Sequence, residues 1–286
     1  MKRLSFKRRN SARHWVGDGF PVRSAFSYDD AAEQLSPFLL LDHAGPATFD
    51  ATSKRRGVGR HPHRGFETVT IVYDGEVEHR DSAGGGGSIG PGDVQWMTAG
   101  AGIIHEEYHG TEYAKRGGPF EMIQLWVNLP ARDKMTPPGY QGITSAQIPS
   151  VELPDGAGTV RVIAGRFGDA EGPARTFSPV NLWDVRLRAG HRAEFKVPDG
   201  HTTALFVLRG SARVGDDSVG EAELAVLERE GDTFAIEAVE DVTLLVLGGE
   251  PLNEPVVGYG PFVMNSQQEI AEAFADFQAG RMGRVG

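Results

Sequence analysis

Residues 61–77 read His-Pro-His-Arg-Gly-Phe-Glu-Thr-Val-Thr-Ile-Val-Tyr-Asp-Gly-Glu-Val, and this stretch contains the main signals for the fold. Residues 67–73 are rich in β-branched side chains, and Asp74-Gly75 separates them from a second alternating run at 76–80. Asp-Gly between two such runs is among the stronger short-range signals for a β-hairpin. The stretch therefore predicts a strand, a tight turn and a returning strand.

Short apolar runs separated by turn residues continue along most of the chain. Its 286 residues include 38 glycines and 17 prolines, which stand mainly between the apolar runs. Further short strands are predicted at 37–41, around Trp96 and at 121–129. Many short strands at this spacing are typical of a β-sandwich or β-barrel. We therefore predict an all-β fold.

The second half of the chain resembles the first, which indicates an internal repeat. The segment 206–214 has a hairpin pattern like that of 72–77, and Glu230-Gly231-Asp232 resembles Pro91-Gly92-Asp93. A repeat of a whole β-rich unit predicts two related barrels in tandem. We expect the first barrel to span 1–135, a linker to span 136–149, and the second barrel to span 150–286.

One helix is predicted, at the C-terminal end of the second barrel. Ser266 can cap it, and Glu269 three residues later completes a capping box. The predicted apolar stripe and stop signal of this helix are Ile270, Phe274, Phe277 and Gly280. We expect the helix to pack on the flank of a barrel.

Composition limits the possible partners and locations. The formal net charge of -10 argues against broad, non-specific nucleic-acid binding, and the absence of cysteine excludes disulfides and thiolate metal ligands. No apolar run approaches the ~20 residues of a membrane-spanning helix. The basic N-terminal segment lacks the apolar core of a signal peptide. We therefore expect a cytoplasmic, monomeric protein that binds neither nucleic acid nor membrane.

Two pairs of potential metal ligands occur at the spacing of a strand. His61 and His63 are two residues apart, and so are His105 and Glu107. Alternate side chains of a strand point to the same face, so each pair is expected to point into the first barrel. Barrel closure would bring the two strands together. Three imidazoles and one carboxylate suit Fe, Cu, Ni, Mn or Zn, and they leave coordination positions open for a substrate.

Several residues near these pairs have more than one possible role. Glu67 would share the inward face with His61 and His63 if the alternation continued, as a ligand, as a group that supports a ligand, or as a buried structural acid. Three other histidines are interpreted as structural: His43, His79 and His109. Four aromatic residues are expected to fill the core, with the lining of a ligand pocket as the alternative: Phe66, Trp96, Tyr108 and Trp126.

The repeat also predicts which barrel holds the metal. If Gly210 is aligned with Gly75, and Asp232 with Asp93, every candidate ligand is replaced in the second barrel. The replacing residues are Lys196, Pro198, Leu244 and Val246. The second barrel is therefore predicted to be metal-free, with an apolar interior at that point.

Several longer motifs resemble those of the pirin family of the cupin superfamily. They stand at 61–69, 90–100, 102–107, 124–129 and 249–265, and the resemblance covers most of the chain from Pro37 onward. It implies a bicupin, with two jelly-roll-like barrels of the double-stranded β-helix type. It also implies metal only in the first barrel, held by His61, His63, His105 and Glu107. The general cupin pattern expects a glycine six residues before the first histidine, where this chain has Arg55.

The resemblance also implies a function. It indicates a quercetin 2,3-dioxygenase that opens the heterocyclic ring of flavonols with O2, or a metal-dependent regulator that binds a transcription factor or metabolic enzyme. For the enzyme we expect iron first, with Cu, Ni, Mn, Co or Zn as alternatives, and Glu107 as the catalytic group that accepts the substrate's hydroxyl proton. For the regulator, the expected contact is the basic loop Lys54, Arg55, Arg56 and Arg60. A purely structural metal in a closed four-ligand site is the third alternative.

Overall fold

The computed structural model describes the whole chain, residues 1–286, and it consists mainly of strands. Its first half contains β1 (Leu4–Arg9), β2 (His14–Val16), β3 (Phe20–Phe26), α1 (Tyr28–Leu35), β4 (Phe38–Phe49), β5 (Gly57–His63), β6 (Phe66–Asp74), β7 (Val77–Asp81), β8 (Gly86–Ile89), β9 (Val94–Thr98), β10 (Ile103–His109), α2 (Thr111–Arg116), β11 (Gly118–Asn128) and β12 (Gly139–Ile143). Its second half contains β13 (Ser150–Glu152), β14 (Gly158–Ala164), β15 (Arg166–Phe167), β16 (Ala170–Glu171), β17 (Val180–Leu187), β18 (Arg192–Lys196), β19 (Thr202–Arg209), β20 (Ser211–Val214), β21 (Asp217–Gly220), β22 (Glu223–Leu227), β23 (Thr233–Ala238), β24 (Val242–Gly249), β25 (Val257–Tyr259), β26 (Phe262–Met264) and α3 (Gln267–Gln278). The predicted all-β fold with a C-terminal helix is confirmed.

The chain forms two compact units, and the first unit contains most of the N-terminal half. It comprises Ser11–Ala32, Phe38–Ser145 and Asn253–Gly286. Its large sheet has the strand order β12-β9-β6-β11-β4-β3-β2, and its small sheet has the order β5-β10-β7-β8. The two sheets face each other, since Gln95 of β9 contacts Glu107 of β10. They remain separate ladders rather than one closed barrel, which is consistent with a jelly roll.

The second unit repeats this architecture. It comprises Met1–Asn10, Glu33–Pro37 and Ala146–Leu252. Its sheets have the orders β1-β22-β19-β24-β17-β14-β13 and β18-β23-β20-β21, which match those of the first unit position by position. The predicted internal repeat is therefore confirmed. The interior of the second unit is an apolar cluster that includes the fully buried Trp183, Phe195 and Phe234.

The limits of the two units differ from the predicted domain boundaries. β1 pairs with β22 in the second unit, although the sequence predicts that 1–135 forms the first barrel. β12 pairs with β9 as an edge strand of the first unit, although 136–149 is predicted to be a linker. The helix α3 belongs to the first unit rather than to the second. Each large sheet thus takes its outermost strand from outside its own repeat, which local turn signals do not reveal.

The helix α3 begins at its predicted cap. The Glu269 backbone N–H donates to Ser266 Oγ at 3.3 Å, and the Glu269 carboxylate accepts from the Asn265 backbone N–H at 3.0 Å. Ile270 is buried, whereas Phe277 is 38% exposed, so the buried stripe is narrower than predicted. None of the helices combines the length and the apolar character needed to cross a membrane.

The part of the repeat alignment that pairs Asp232 with Asp93 is displaced by one strand. Leu244 and Val246 lie on β24, which corresponds to β11 by its place in the sheet and not to β10. The strand that corresponds to β10 is β23, where Phe234 is buried. Phe195 stands opposite Phe234, while Lys196 is exposed. The interior positions of these strands are apolar, although the residues concerned differ from the predicted ones.

Candidate metal centre

Antiparallel pairing of β5 with β10 brings three histidines together. His61 lies opposite His105, and His63 lies opposite Ile103, so the three histidines share one face of the small sheet. The ring centroids are 4.2 Å apart for His61 and His105, 4.8 Å for His63 and His105, and 4.9 Å for His61 and His63. Their potential ligand atoms all lie within 4.8 Å of one another. These three residues are called the histidine triad.

Hydrogen bonds on the outer side of two of the rings leave their second nitrogen available to a metal. His61 Nδ1 donates to the Gly59 carbonyl oxygen at 2.8 Å, and His63 Nδ1 donates to the Pro261 carbonyl oxygen at 3.3 Å. A carbonyl can only accept, so both Nδ1 atoms carry the proton and both Nε2 atoms keep a lone pair. His105 Nε2 is buried and has no hydrogen-bond partner. A buried polar atom of this kind indicates a missing partner.

A second buried histidine orients His105. His79 Nε2 donates to Asp81 Oδ2 at 3.0 Å, which leaves His79 Nδ1 as an acceptor. His105 Nδ1 lies 3.3 Å from His79 Nδ1 and donates to it. Burial raises the pKa of Asp81, but hydrogen bonds from His79, Gly85 and Ala83 outweigh this and hold it below its usual value. The chain from Asp81 through His79 fixes the tautomer of His105 and leaves its Nε2 free to bind a metal.

The surroundings keep two histidines of the triad, His63 and His105, neutral. Burial lowers the pKa of His63 and His105 well below the usual 6.5, and the neighbouring His61 lowers both further. Neutral imidazole is the form that binds metals. Converging unprotonated nitrogens, one of them buried without any partner, therefore fit a divalent transition metal.

Glu107 lies beside the triad but belongs to a second, overlapping group. It stands opposite His79 in the pairing of β10 with β7. The potential ligand atoms of His79, His105 and Glu107 lie within 4.8 Å of one another. The pairing of β10 with β5 has a register shift between His105 and Glu107. The structure thus brings the three predicted histidine ligands into one group and joins Glu107 to that group through His105.

Three residues that support these groups have at most a weak signal in the sequence: His79, interpreted there as structural, Asp81 and Gln95. His79 and Asp81 have the same two-residue spacing as His61 and His63, which is the signal that could have found them. A single histidine with one aspartate is a weak pattern, because its meaning depends on which strand lies alongside. Gln95 carries no pattern signal, yet its Nε2 donates to Glu107 Oε1 at 2.6 Å.

Glu67 lies outside both groups. The chain leaves β5 at His63, passes Gly65 with φ at 88°, and enters β6 in the other sheet, so the alternation does not continue. Glu67 pairs with Thr98 of β9 and accepts a hydrogen bond from its Oγ1 at 2.7 Å. Burial raises the pKa of Glu67 to about 7. Among its possible roles, the structure matches the buried acid.

A mainly apolar cavity of about 350 Å³ adjoins the triad. His61, His63 and Glu107 line it, together with two further polar residues, Asp42 and Gln124. Its apolar walls include Phe20, Leu40, Met122 and Trp126. The volume lies within the range of ordinary small-molecule sites. Of the aromatic residues considered from the sequence, Trp126 lines the cavity, while the ring of Phe66 stacks on it with centroids 4.2 Å apart.

A row of polar side chains crosses the inward face of the large sheet. Strand pairing places Asp42 beside Gln124, Gln124 beside Thr70, and Thr70 beside Gln95. Thr70 Oγ1 donates to Gln124 Oε1 at 3.0 Å, and Gln95 Nε2 lies 3.3 Å from Thr70 Oγ1. These four residues are called the polar row. Through Gln95 the row reaches Glu107, so it connects the cavity wall with β10.

Comparison with known proteins gives matches over nearly the whole chain. The Pirin family model matches residues 19–127, and the model of the Pirin C-terminal cupin domain matches residues 182–283. A Pseudomonas aeruginosa protein named "Putative quercetin 2,3-dioxygenase" is 61% identical over 276 residues, which are 96% of each chain. Pirin of Rattus norvegicus is 37% identical over 260 residues, covering 89% of this chain and 85% of that protein. The crystal structure of quercetin 2,3-dioxygenase from Acinetobacter baumannii is 54% identical, with a TM-score of 0.97 over 100% of both chains.

Proposed function

Because this chain belongs to the pirin family, we propose that it is a metal-dependent dioxygenase that opens the heterocyclic ring of flavonols, such as quercetin, with O2. The observation that carries the proposal is the histidine triad at the wall of an apolar cavity. Two of the similar proteins are named for this activity. A purely structural metal is less well supported, because the ligand side chains open onto a space that can hold a small molecule.

The proposed metal ligands are His61, His63, His105 and Glu107. Iron is the first candidate, because nitrogen and carboxylate ligands with open positions are typical of non-haem iron oxygenases, and Cu, Ni, Mn, Co and Zn are alternatives. When bound, the metal lowers the pKa of a coordinated hydroxyl and supplies the redox chemistry that O2 requires. The triad provides neutral ligands, so Glu107 contributes the only negative charge of this set.

Glu107 is also the proposed proton acceptor. It lines the cavity, where a substrate hydroxyl can approach it. Gln95 Nε2 donates to Glu107 Oε1, so Oε2 is the oxygen left for the metal, and it can take the proton when it is not bound to the metal. Thr70, 3.3 Å from Gln95 Nε2, keeps that amide in place. The apolar walls around the substrate exclude water from the ring that is opened.

Incubation of the metal-loaded protein with quercetin, with and without O2, tests the proposal. We expect an O2-dependent loss of flavonol absorbance and release of carbon monoxide. His105→Ala should lose both metal and turnover, whereas Glu107→Gln should keep most of the metal and lose most of the turnover. A wild-type protein that shows no O2-dependent loss with Fe, Cu, Ni, Mn or Co would exclude this activity.

A metal-dependent regulatory role is the second candidate, because the basic loop touches the strand that carries the ligands. Arg55 Nη2 lies 3.4 Å and Arg60 Nε lies 3.7 Å from the Glu106 carboxylate, which stands between two proposed ligands on β10. Both arginine side chains are more than half exposed. A change at the metal can therefore reach an exposed basic surface. Identical hydrogen exchange of residues 52–60 with and without metal would count against this role.

The remaining expectations from the sequence are also proposals. We propose that the second unit is metal-free, since apolar side chains occupy its interior. Elemental analysis should then give one metal per chain, and two metals per chain would contradict it. We also propose a cytoplasmic location and a monomeric state, which cell fractionation and light scattering test.

A further inference from the structure

We propose that Asp42 and Gln124 form a subsite that recognises a free phenolic hydroxyl of the substrate, apart from the hydroxyl that binds the metal. This inference rests on the proposed function and specifies its substrate class. The preferred flavonols would carry a free hydroxyl on a ring other than the one that is opened. The proposal stands on an unpaired buried oxygen, on a neighbouring amide with one side occupied, and on the cavity that both share with the triad.

Asp42 carries a buried acceptor that has no donor inside the protein. The residue is only 8% exposed, and its Oδ1 has no hydrogen-bond partner. Burial raises the pKa of Asp42, and a hydrogen bond with Ser24 opposes that effect. Leaving a buried carboxylate oxygen unpaired is unfavourable. Because Asp42 lines the cavity, a ligand in the cavity can supply the missing donor.

Gln124 provides the complementary group. It lies directly beside Asp42 on the neighbouring strand and lines the same cavity. Its Oε1 accepts from Thr70 Oγ1 at 3.0 Å, which orients the amide and leaves the NH2 group for a ligand. Side chains paired directly across antiparallel strands have Cβ atoms about 5 Å apart. The acceptor of Asp42 and the donor of Gln124 therefore lie side by side in the wall of the cavity.

A hydroxyl is the group that satisfies both. It can donate to Asp42 and accept from Gln124, whereas a methyl ether can only accept and a C–H bond can do neither. The apolar walls, which include Leu40 and Trp126, suit the aromatic ring that carries the hydroxyl. His61 and His63 of the triad line the same cavity, so one ligand can contact both the metal and the subsite.

The test measures anaerobic binding of four flavonols to the metal-loaded protein: 3-hydroxyflavone, galangin, kaempferol and kaempferide. All four keep the 3-hydroxyl and the 4-carbonyl. Galangin and kaempferol add hydroxyls on the outer rings, and kaempferide is kaempferol with one of these hydroxyls methylated. Calorimetry gives the dissociation constants. We expect the wild type to bind galangin or kaempferol about 10- to 100-fold more tightly than 3-hydroxyflavone, the range for a hydrogen bond to a charged group.

Two substitutions separate charge from shape at Asp42. In Asp42→Leu, the ratio of the dissociation constant of 3-hydroxyflavone to that of galangin or kaempferol should fall below about threefold, and in Asp42→Asn it should be intermediate. The dissociation constant of 3-hydroxyflavone itself should be unchanged in both variants. Asp216→Leu, in an exposed turn of the second unit, is the matched control and should keep the full preference. Asp42→Leu also removes the hydrogen bond between Asp42 and Ser24, whereas Asp42→Asn can keep it, so the melting temperatures of both variants are measured to show that each remains folded.

The outcomes are distinct. An equal preference in the wild type and in both Asp42 variants overturns the subsite and leaves the proposed reaction intact. Equal binding of all four flavonols by the wild type also overturns the subsite alone. If the wild type binds none of them, including 3-hydroxyflavone, both the subsite and the proposed substrate class are wrong.

Discussion

Replacing His79 by alanine tests how His105 is oriented. The substitution removes the acceptor that lies 3.3 Å from His105 Nδ1 and leaves Asp81 without its histidine partner. Both histidines are buried, so water does not readily replace the lost hydrogen bond. Loss of a group that orients a metal-binding histidine typically weakens metal affinity about 10- to 100-fold. That range corresponds to about 1.4 to 2.8 kcal/mol.

The assay is competition between the protein and a chromophoric chelator for Zn²⁺ or Co²⁺. We expect the metal dissociation constant to rise by this factor in His79→Ala. His79→Asn should recover much of the affinity, because the asparagine Oδ1 stands near the position of the imidazole Nδ1 and can accept the same N–H. His191→Ala is the control, because His191 lies in the second unit and its Nδ1 donates only to a local carbonyl.

An unchanged dissociation constant in His79→Ala would refute the positioning role. A loss that His79→Asn does not recover, with a changed Co²⁺ absorption spectrum, would mean instead that His79 is itself a ligand. In that case the metal would be held by the second group, which consists of His79, His105 and Glu107. Because metal affinity is the readout, the result does not depend on the proposed reaction.

Three further substitutions test other parts of the first unit. Gln95→Leu removes the donor 2.6 Å from Glu107 Oε1 and should lower kcat about 10-fold or more, with metal content by elemental analysis unchanged. The raised pKa of Glu67 stabilises the folded state fully below pH 4.5, and this contribution is lost as the pH rises through about 7. Urea unfolding should therefore show that the free energy of unfolding of the wild type falls by up to about 3 kcal/mol between pH 4 and 8, relative to that of Glu67→Gln. Lys134→Met should destabilise the protein by about 2–4 kcal/mol in thermal unfolding, because Lys134 Nζ donates to buried oxygens at 2.7, 2.8 and 2.9 Å.

Local periodicity was enough to predict which strands carry the candidate metal ligands. The two-residue spacing that places His61 and His63 on one face depends only on the period of a strand. On the paired strand, His105 stands opposite His61, but a register shift separates it from Glu107, its predicted partner at the two-residue spacing. The predicted turn also depends on local chemistry, since Gly75 adopts φ of 87°. Features of this kind are determined within a few residues of sequence, so one chain suffices to predict them.

Features that depend on which sheet a strand joins could not be predicted in the same way. Glu67 continues the alternation from His63 in sequence, but the chain changes sheets between them, so the two side chains have different surroundings. His79 gains its role only from the alignment of β7 with β10. The sequences of the edge strands β1 and β12 contain no local pattern that predicts which strands they pair with. The repeat alignment failed for a related reason, because similar glycine–aspartate turns precede different strands in the two units.

The two units show that the fold does not need the histidines. On β18 and β23, which correspond to β5 and β10, Phe195 and Phe234 stack with centroids 5.1 Å apart inside the second unit. Apolar side chains at such positions pack without any unsatisfied polar atom. In the first unit, burial instead disfavours the charged form of His63 and His105 and leaves His105 Nε2 unpaired. These features are unfavourable for packing alone, and a ligand that accepts three nitrogen lone pairs removes the disadvantage. The triad is therefore explained by what it binds and not by the requirements of the sheet.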